Sequence, residues 1–144
     1  MRNRKFKVIL DTSFLLPTLG IDVEEEIYDV MKFLREFEVH YLEVGLIEAF
    51  WVVVRKIDRN YLGTVEEGLK AIRETYKPLK PPVEAYIEAV KIYDLGHKDF
   101  IDALYYATAL HTETKWLTID RTFVNFLKKH NLKRDAVILP EELV

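Results

Sequence analysis

KFKVILDTS, residues 5–13, is the stretch that decides the fold. Its apolar residues, Phe6 and the run VIL at 8–10, are bounded by charge on one side and by Asp-Thr-Ser on the other. Short runs of this kind are typical of strands buried on both faces, at the centre of a parallel sheet. The strand ends at Asp11, and open α/β sheets bind ligands beyond the carboxyl ends of their strands. Asp11 is therefore either a helix cap, a common role for this residue type, or part of a functional site.

Helical and strand-like segments alternate along the rest of the chain. Helices are predicted at 22–37 and 64–76, each with a capping box (Asp22 with Glu25, Thr64 with Glu67), and at 44–60, 83–95, 98–113 and 121–130. Strands are predicted at 38–42, 115–119 and 136–139, and the segment 77–82, with three prolines, is a linker or a short edge strand. This alternation predicts a parallel sheet covered by helices on both faces. The helix 44–60 is apolar almost all round at its start, which predicts that it is buried.

Composition narrows the class of protein. A chain of 144 residues predicts one domain, 1–144, and its 49% apolar and 31% charged residues describe a globular protein. The net charge of −3 means that a polyanionic substrate would need a local basic patch or a bound cation. The absence of cysteine excludes disulfides, thiolate metal sites and a cysteine nucleophile. With no apolar leader at the N-terminus and no run near the roughly 18 apolar residues of a membrane span, we expect a cytoplasmic protein with no membrane contact.

Four carboxylates lie in unusually apolar surroundings. Asp11 and Asp120 each end an apolar strand, Glu48 interrupts the apolar start of the helix 44–60, and Asp102 lies within FIDALYYATAL. An isolated ionised carboxylate in such a setting is unfavourable, so each should be paired, protonated or bound to a cation. For Glu48 and Asp102, the alternative is the favourable interaction of an acid with the first turns of a helix.

Taken together, the four acids favour a metal site. The C-termini of parallel strands and the N-termini of the helices that follow them lie on one edge of the sheet, to which all four acids belong. Carboxylates gathered there would repel one another unless divalent cations neutralised them. Oxygen ligands without cysteine predict Mg²⁺ or Mn²⁺. Such ions activate water and stabilise the charge of a phosphodiester under in-line attack.

The order and approximate spacing of these motifs resemble those of the PIN-domain ribonucleases. The motifs are LDTSFLL, the Glu48 of LIEAFW, DFIDALYYATAL and LTIDRTF, and the chain looks most like the compact VapC-type toxins of toxin–antitoxin pairs. This resemblance implies a three-layer α/β/α fold with a central five-stranded parallel sheet of order 3-2-1-4-5. It also implies Mg²⁺ or Mn²⁺ dependence, cleavage of single-stranded RNA, a homodimer and an antitoxin that covers the site. The apolar early helices are candidates for these protein contacts.

The resemblance carries over to individual residues. Asp11, Glu48, Asp102 and Asp120 match the acidic quartet that binds metal and catalyses, Thr12 or Ser13 matches the hydroxyl after the first Asp, and Thr118 matches the threonine of the T-x-D motif.

Three further residues lie close to this quartet in the sequence. Asp99 shares a helix face with Asp102 and is either an added metal or water ligand or, as we favour, the N-cap of its helix. Arg121 follows Asp120 and could contact the scissile phosphate, although a solvated charge is the commoner role. Among the histidines, only His97 is close enough to these motifs to be a candidate.

Two other functions fit parts of this pattern. A non-catalytic module could keep the acidic pocket for RNA binding or assembly, but the intact quartet does not favour it. Phosphatases and receiver domains also place an Asp at the end of the first strand. A haloacid-dehalogenase-type phosphatase needs a second Asp where this chain has Ser13, and a receiver needs an acidic pair and a later lysine that are not present. We therefore favour a metal-dependent endoribonuclease that uses a metal-activated water.

Overall fold

The computed structural model describes residues 6–143, so Lys5 and the rest of the charged N-terminus lie outside the described residues. The strands are β1 (Lys7–Leu10), β2 (Glu38–Tyr41), β3 (Lys77–Pro78), β4 (Lys115–Leu117) and β5 (Val137–Ile138). The α-helices are α1 (Glu25–Met31), α2 (Glu43–Lys56), α3 (Leu62–Thr75), α4 (Val83–Leu95), α5 (Phe100–Thr112) and α6 (Arg121–Lys129). Within residues 6–143, no helix combines the length and the apolar character that a membrane crossing requires.

The five strands of the described chain form one parallel sheet in the order β3-β2-β1-β4-β5. Ile9 of β1 lies opposite His40 of β2 on one side and opposite Trp116 of β4 on the other. The first strand is central because the chain runs outward to β2 and β3 and then crosses back to β4 and β5. This strand order confirms the prediction. The chain adds strands on one side of β1 up to β3 and then on the other side from β4, so the switch point lies between β1 and β4. A crevice opens at such a point in α/β sheets.

Alternating side chains divide the core into two layers. Val8 and Leu10 of β1 pack with α1, α2 and α3 on one face of the sheet, whereas Ile9 packs with α4, α5 and α6 on the other. All three side chains are fully buried. In β4, Leu117 belongs to the first of these cores and Trp116 to the second. The protein is therefore the three-layer α/β/α sandwich that the sequence predicts.

The two predicted capping boxes do not start their helices, because other residues shape the chain before them. The helix expected from Asp22 begins at Glu25 and ends at Met31, and Asp22 instead accepts a hydrogen bond from the Tyr28 hydroxyl at 3.2 Å. A separate 3₁₀ turn, Leu34–Glu36, replaces the end of that predicted helix.

The predicted start of α3 at Thr64 is also wrong. The helix begins two residues earlier, at Leu62, and follows directly from the 3₁₀ turn Arg59–Tyr61. Asp58 caps that turn by accepting a hydrogen bond from the Asn60 backbone at 2.8 Å. Because the turn already supplies a helical start, the Thr64 capping box is not used. The same turn separates α2 from α3, so α2 ends at Lys56 and not near residue 60.

The prediction that the helix 44–60 is buried is wrong for one of its faces. Leu46, Ala49 and Val53 of α2 face the core, as an amphipathic helix requires. The exposed apolar positions are Ile47, Trp51 and Val54, and Trp51 is 62% exposed. Spacings of four and three residues place these side chains on one outward stripe. The sequence pattern did not distinguish a fully buried helix from one with an exposed apolar face.

Candidate metal centre at the edge of β1 and β4

The end of β1 places Asp11 at the point where the strand order reverses. The Asp11 backbone N–H donates to the Leu117 carbonyl oxygen at 3.0 Å, which extends the pairing of β1 and β4 by one residue. Thr118 Oγ1 donates a hydrogen bond of 2.9 Å to Asp11 Oδ2 and accepts one of 3.1 Å from the Asp120 backbone N–H. Thr118 is fully buried. It therefore fixes Asp11 relative to the start of α6.

Thr12 connects the β1 edge to α2. Its Oγ1 donates to Glu48 Oε1 at 2.6 Å, which brings Glu48 to the site although it comes from a different helix. Sequence reasoning left open whether Thr12 or Ser13 supplies the hydroxyl. Ser13 Oγ is buried and has no hydrogen-bond partner among residues 6–143. The hydroxyl that contacts the acidic residues is therefore that of Thr12.

Asp99 caps the helix that carries Asp102. Asp99 Oδ1 accepts hydrogen bonds from the backbone N–H groups of Ile101 at 3.1 Å and of Asp102 at 3.2 Å, as the favoured interpretation expects. This cap sets the start of α5 and places Asp102 in its first turn. The partial positive charge of a helix N-terminus favours a carboxylate there.

His97 joins two of the predicted acids. Its Nε2 lies 3.1 Å from Asp102 Oδ2, and ligand atoms of His97, Asp102 and Asp120 all lie within 4.8 Å of one another. The imidazole packs edge-on against Phe123, at 4.7 Å between ring centroids, and at 5.3 Å from Phe126. These rings hold it in the site. No spacing in the sequence marks His97 as a ligand, because the fold alone brings the residues before α5 and α6 together.

Asp120 and Arg121 point to different partners although they are adjacent in the sequence. Asp120 caps α6 through a hydrogen bond of 3.0 Å from the Phe123 backbone to its Oδ1. Arg121 Nη2 donates to Glu26 Oε2 and Glu141 Oε1, both at 2.6 Å. A phosphate would have to compete with both carboxylates for this guanidinium. Contact between Arg121 and a phosphate stays a prediction.

Burial and neighbouring carboxylates raise the pKa of two acids of the site, Asp11 and Asp102. Burial raises the pKa of Asp11 to about 6, and the charges of Glu48 and Asp120 add to the effect, whereas hydrogen bonds from Thr118 and the backbone oppose it. Burial also raises the pKa of Asp102 to about 9, together with the charges of Asp99, Asp11 and Asp120. At neutral pH Asp102 therefore holds a proton unless a cation takes its place. The group has the oxygen donors and the excess negative charge that fit Mg²⁺ or Mn²⁺.

The chain matches one protein-family model in sequence and several solved structures in fold. The family model described as the PIN domain matches residues 8–129. PAE2754 from Pyrobaculum aerophilum is 22% identical in sequence, with a TM-score of 0.64 over 96% of this chain and 92% of its own. A toxin–antitoxin complex from Klebsiella pneumoniae is 13% identical, with a TM-score of 0.63 over 92% of this chain and 97% of that one. FitAcB from Neisseria gonorrhoeae is 17% identical, with a TM-score of 0.65 over 93% and 98%.

At these identities the similarity to solved structures shows the fold. No curated protein matches the chain in sequence. Structural similarity over nearly the whole chain therefore supports the strand order that the resemblance implied. The family model matches most of the sequence, which supports the family itself.

Proposed function

Because the chain belongs to the PIN domain family, we propose that it is a metal-dependent endoribonuclease, the toxin of a toxin–antitoxin pair. One observation carries the proposal. Asp11, Glu48, Asp102 and Asp120 come from four separate segments of the sequence and meet at the edge of β1 and β4. There burial, together with their mutual repulsion, raises the pKa of two of them. Carboxylates crowded in this way fit a cation-dependent hydrolase better than a structural role.

The proposed ligands for Mg²⁺ or Mn²⁺ are Asp11, Asp102 and Asp120, with Glu48 across the site and His97 as an additional donor. When bound there, the ion would activate a water and neutralise the charge that develops at the phosphodiester. Thr118 keeps Asp11 in one orientation, and the caps formed by Asp99 and Asp120 do the same for the starts of α5 and α6.

Glu48 is the group that we propose orients the attacking water. Its Oε1 accepts the hydrogen bond from Thr12, so the other carboxylate oxygen is the one assigned to the water. Attack forms a bond between the water oxygen and phosphorus, and the bond from phosphorus to the leaving ribose oxygen breaks. A carboxylate that holds the water and accepts its proton lowers the barrier to this step.

Asparagine variants of the acidic residues test the proposal. Asp11→Asn and Asp102→Asn should each lower metal-dependent cleavage of single-stranded RNA by at least about a hundredfold, because each loses charge where the cation and the phosphate meet. Circular dichroism and thermal unfolding should show that both variants fold. Asp29→Asn, on the exposed face of α1, is the matched control and should cleave like the wild type. Retained cleavage in both active-site variants would refute the assignment. Metal-independent RNA binding without cleavage would instead indicate a non-catalytic module.

The partners and setting of the chain are also proposals. Solved neighbours include a toxin–antitoxin complex, which supports a cognate antitoxin for this chain. We propose that residues 1–144 act as one PIN-like domain, as a homodimer, on a cytoplasmic RNA substrate.

A further inference from the structure

The hydroxyl of Tyr105 lies beside the acidic site, although its ring belongs to the core. Tyr105, in α5, is fully buried, and its Oη lies 3.2 Å from Thr12 Oγ1. The phenol ring stacks on Trp116 with an interplanar angle of 5° and 5.4 Å between centroids. A ring held in this way gives its hydroxyl a fixed position. A buried tyrosine hydroxyl normally requires a polar partner, and here that partner is Thr12.

The direction of this hydrogen bond follows from the number of available protons. Thr12 has one hydroxyl proton, and it is donated to Glu48 Oε1 at 2.6 Å. Tyr105 must therefore be the donor to Thr12. Burial and the nearby charges of Asp11 and Glu48 hold the pKa of Tyr105 well above its ordinary value, so the phenol keeps its proton. A directed chain of hydrogen bonds thus runs from Tyr105 through Thr12 to Glu48.

Gly45 provides the space for this chain. It lies in the first turn of α2, three residues before Glu48, and is buried. A methyl group at this position would overlap Tyr105 Oη and would lie 3.3 Å from Thr12 Oγ1. An alanine would therefore force the phenol away from Thr12. The close approach of α2 to α5 at this point depends on glycine.

We propose that Tyr105 is a positioning residue of the active site, which acts through Thr12 to hold Glu48 in the orientation that cleavage requires. A hydrogen bond donated to the Thr12 oxygen polarises its O–H and strengthens the bond to Glu48. Tyr105 itself does not reach the reacting atoms. The inference rests on the proposed function, because it assigns Glu48 a catalytic role.

A double-mutant cycle in RNA cleavage tests the inference. Tyr105→Phe removes Oη and keeps the ring on Trp116, so kcat should fall roughly five- to tenfold, the effect of one hydrogen bond, with little change in KM. In a Thr12→Val background, Tyr105→Phe should cause no further loss, because the connection to Glu48 is already broken. In a Thr12→Ser background, which restores a hydroxyl, the loss should return.

Tyr106→Phe is the matched control. Tyr106 is the next residue of α5, and its hydroxyl donates to the Lys133 carbonyl oxygen at 2.7 Å on another side of the helix. This variant also loses one hydrogen bond but should keep the wild-type kcat and KM. Thermal unfolding of both tyrosine variants should establish that they fold.

A second measurement does not depend on catalysis. In the metal-free protein, NMR relaxation of the Glu48 side chain should show greater motion in Tyr105→Phe than in the wild type or in Tyr106→Phe. Unchanged Glu48 motion, or equal losses of kcat with and without the Thr12 hydroxyl, would overturn the inference. If Asp11→Asn and Asp102→Asn both still cleaved RNA, the proposed function would fail, whereas the Glu48 motion would still report on Tyr105.

Discussion

At the residue scale, Asp102 links the stability of the protein to pH. Its pKa rises from 3.8 in the unfolded chain to about 9 in the folded protein. Between these values the folded protein retains a proton that the unfolded chain has released, so raising the pH favours unfolding. The contribution of Asp102 to stability is fully present below about pH 4 and is lost as the pH rises through about 9. Asp11 changes the stability in the same direction, and its contribution is lost as the pH rises through its pKa of about 6.

Denaturation of the metal-free protein checks this expectation. Between about pH 7 and pH 8, where only the Asp102 proton differs, the free energy of unfolding of the wild type should fall by up to roughly 1.4 kcal/mol per pH unit. Asp102→Asn cannot ionise, so its stability should depend less on pH and should exceed that of the wild type at pH 8. Excess Mn²⁺ should stabilise the wild type more than the variant. Parallel pH profiles for the two proteins would contradict the assignment.

His97 leads to a prediction about metal preference. An imidazole nitrogen suits Mn²⁺ better than Mg²⁺, which prefers oxygen ligands. His97→Asn should therefore weaken Mn²⁺ binding by about tenfold and Mg²⁺ binding by less, as measured by titration calorimetry. His130→Asn is the control, because His130 also packs against Phe126, at 4.5 Å between centroids, but is not part of the group. An equal loss for both metals in His97→Asn would argue against direct ligation.

The acidic residues could be predicted because each interrupts or ends an apolar run, which is a local feature of the sequence. The hydroxyl could not be assigned between Thr12 and Ser13, since the choice depends on which of them faces α2. Tyr105 and Gly45 could not be found either. Their roles depend on the distance between two helices that are far apart in the sequence, and no pattern in either helix encodes that distance.

At the element scale, α3 packs against the 3₁₀ turn Pro17–Leu19 through a glycine. A methyl group at Gly68 would overlap the carbonyl oxygen of Thr18, which belongs to the backbone and cannot move aside as a side chain could. Gly68→Ala should therefore destabilise the protein by about 2–3 kcal/mol in urea denaturation.

Gly63 in the same helix is the matched control for that substitution. No atom of the described residues lies within 4 Å of a methyl group placed there. Gly63→Ala should leave stability unchanged or raise it by up to about 1 kcal/mol, because alanine favours the helix. Similar effects of the two substitutions would show that the contact with Thr18 does not limit the packing of α3.

Strand limits were predicted as unevenly as helix starts. β1 ends at Leu10, directly before Asp11, as its apolar run predicts, whereas β4 ends at Leu117, two residues before the predicted Ile119. Among the described strands β3 pairs only with β2, and it is short because it contains Pro78, which lacks the N–H that a further strand would use. The starts of α1 and α3 were wrong because capping residues are common in loops, and the sequence does not tell which of them the preceding turn will use.

At the scale of the whole molecule, two helices present apolar surfaces on opposite sides of the sheet. The buried residues Leu46, Ala49 and Val53 of α2 belong to one core layer, and those of α4, Ala85, Ala89 and Ile92, belong to the other. On α4 the exposed residues Val83, Ile87 and Val90 follow helical spacing, and Ile87 is 56% exposed. Exposed apolar patches of this kind mark protein contacts. Two such faces match the two partners proposed for the chain, an antitoxin and a second copy.

The acidic site lies beside α2, and this position suggests which of the two proposed partners binds the apolar face of α2 and which binds that of α4. On α2, Trp51 lies one helical turn beyond Glu48 and shares its side of the helix, so a segment that covers the site would reach Trp51. We therefore expect the antitoxin on α2 and self-association through α4. Ile87→Glu should convert the proposed homodimer to a monomer in sedimentation experiments without unfolding the protein, because the position is exposed. Trp51→Glu, an equally drastic change on the other face, should remain dimeric. A dimer that survives Ile87→Glu but dissociates in Trp51→Glu would place self-association on α2 and leave α4 to the antitoxin.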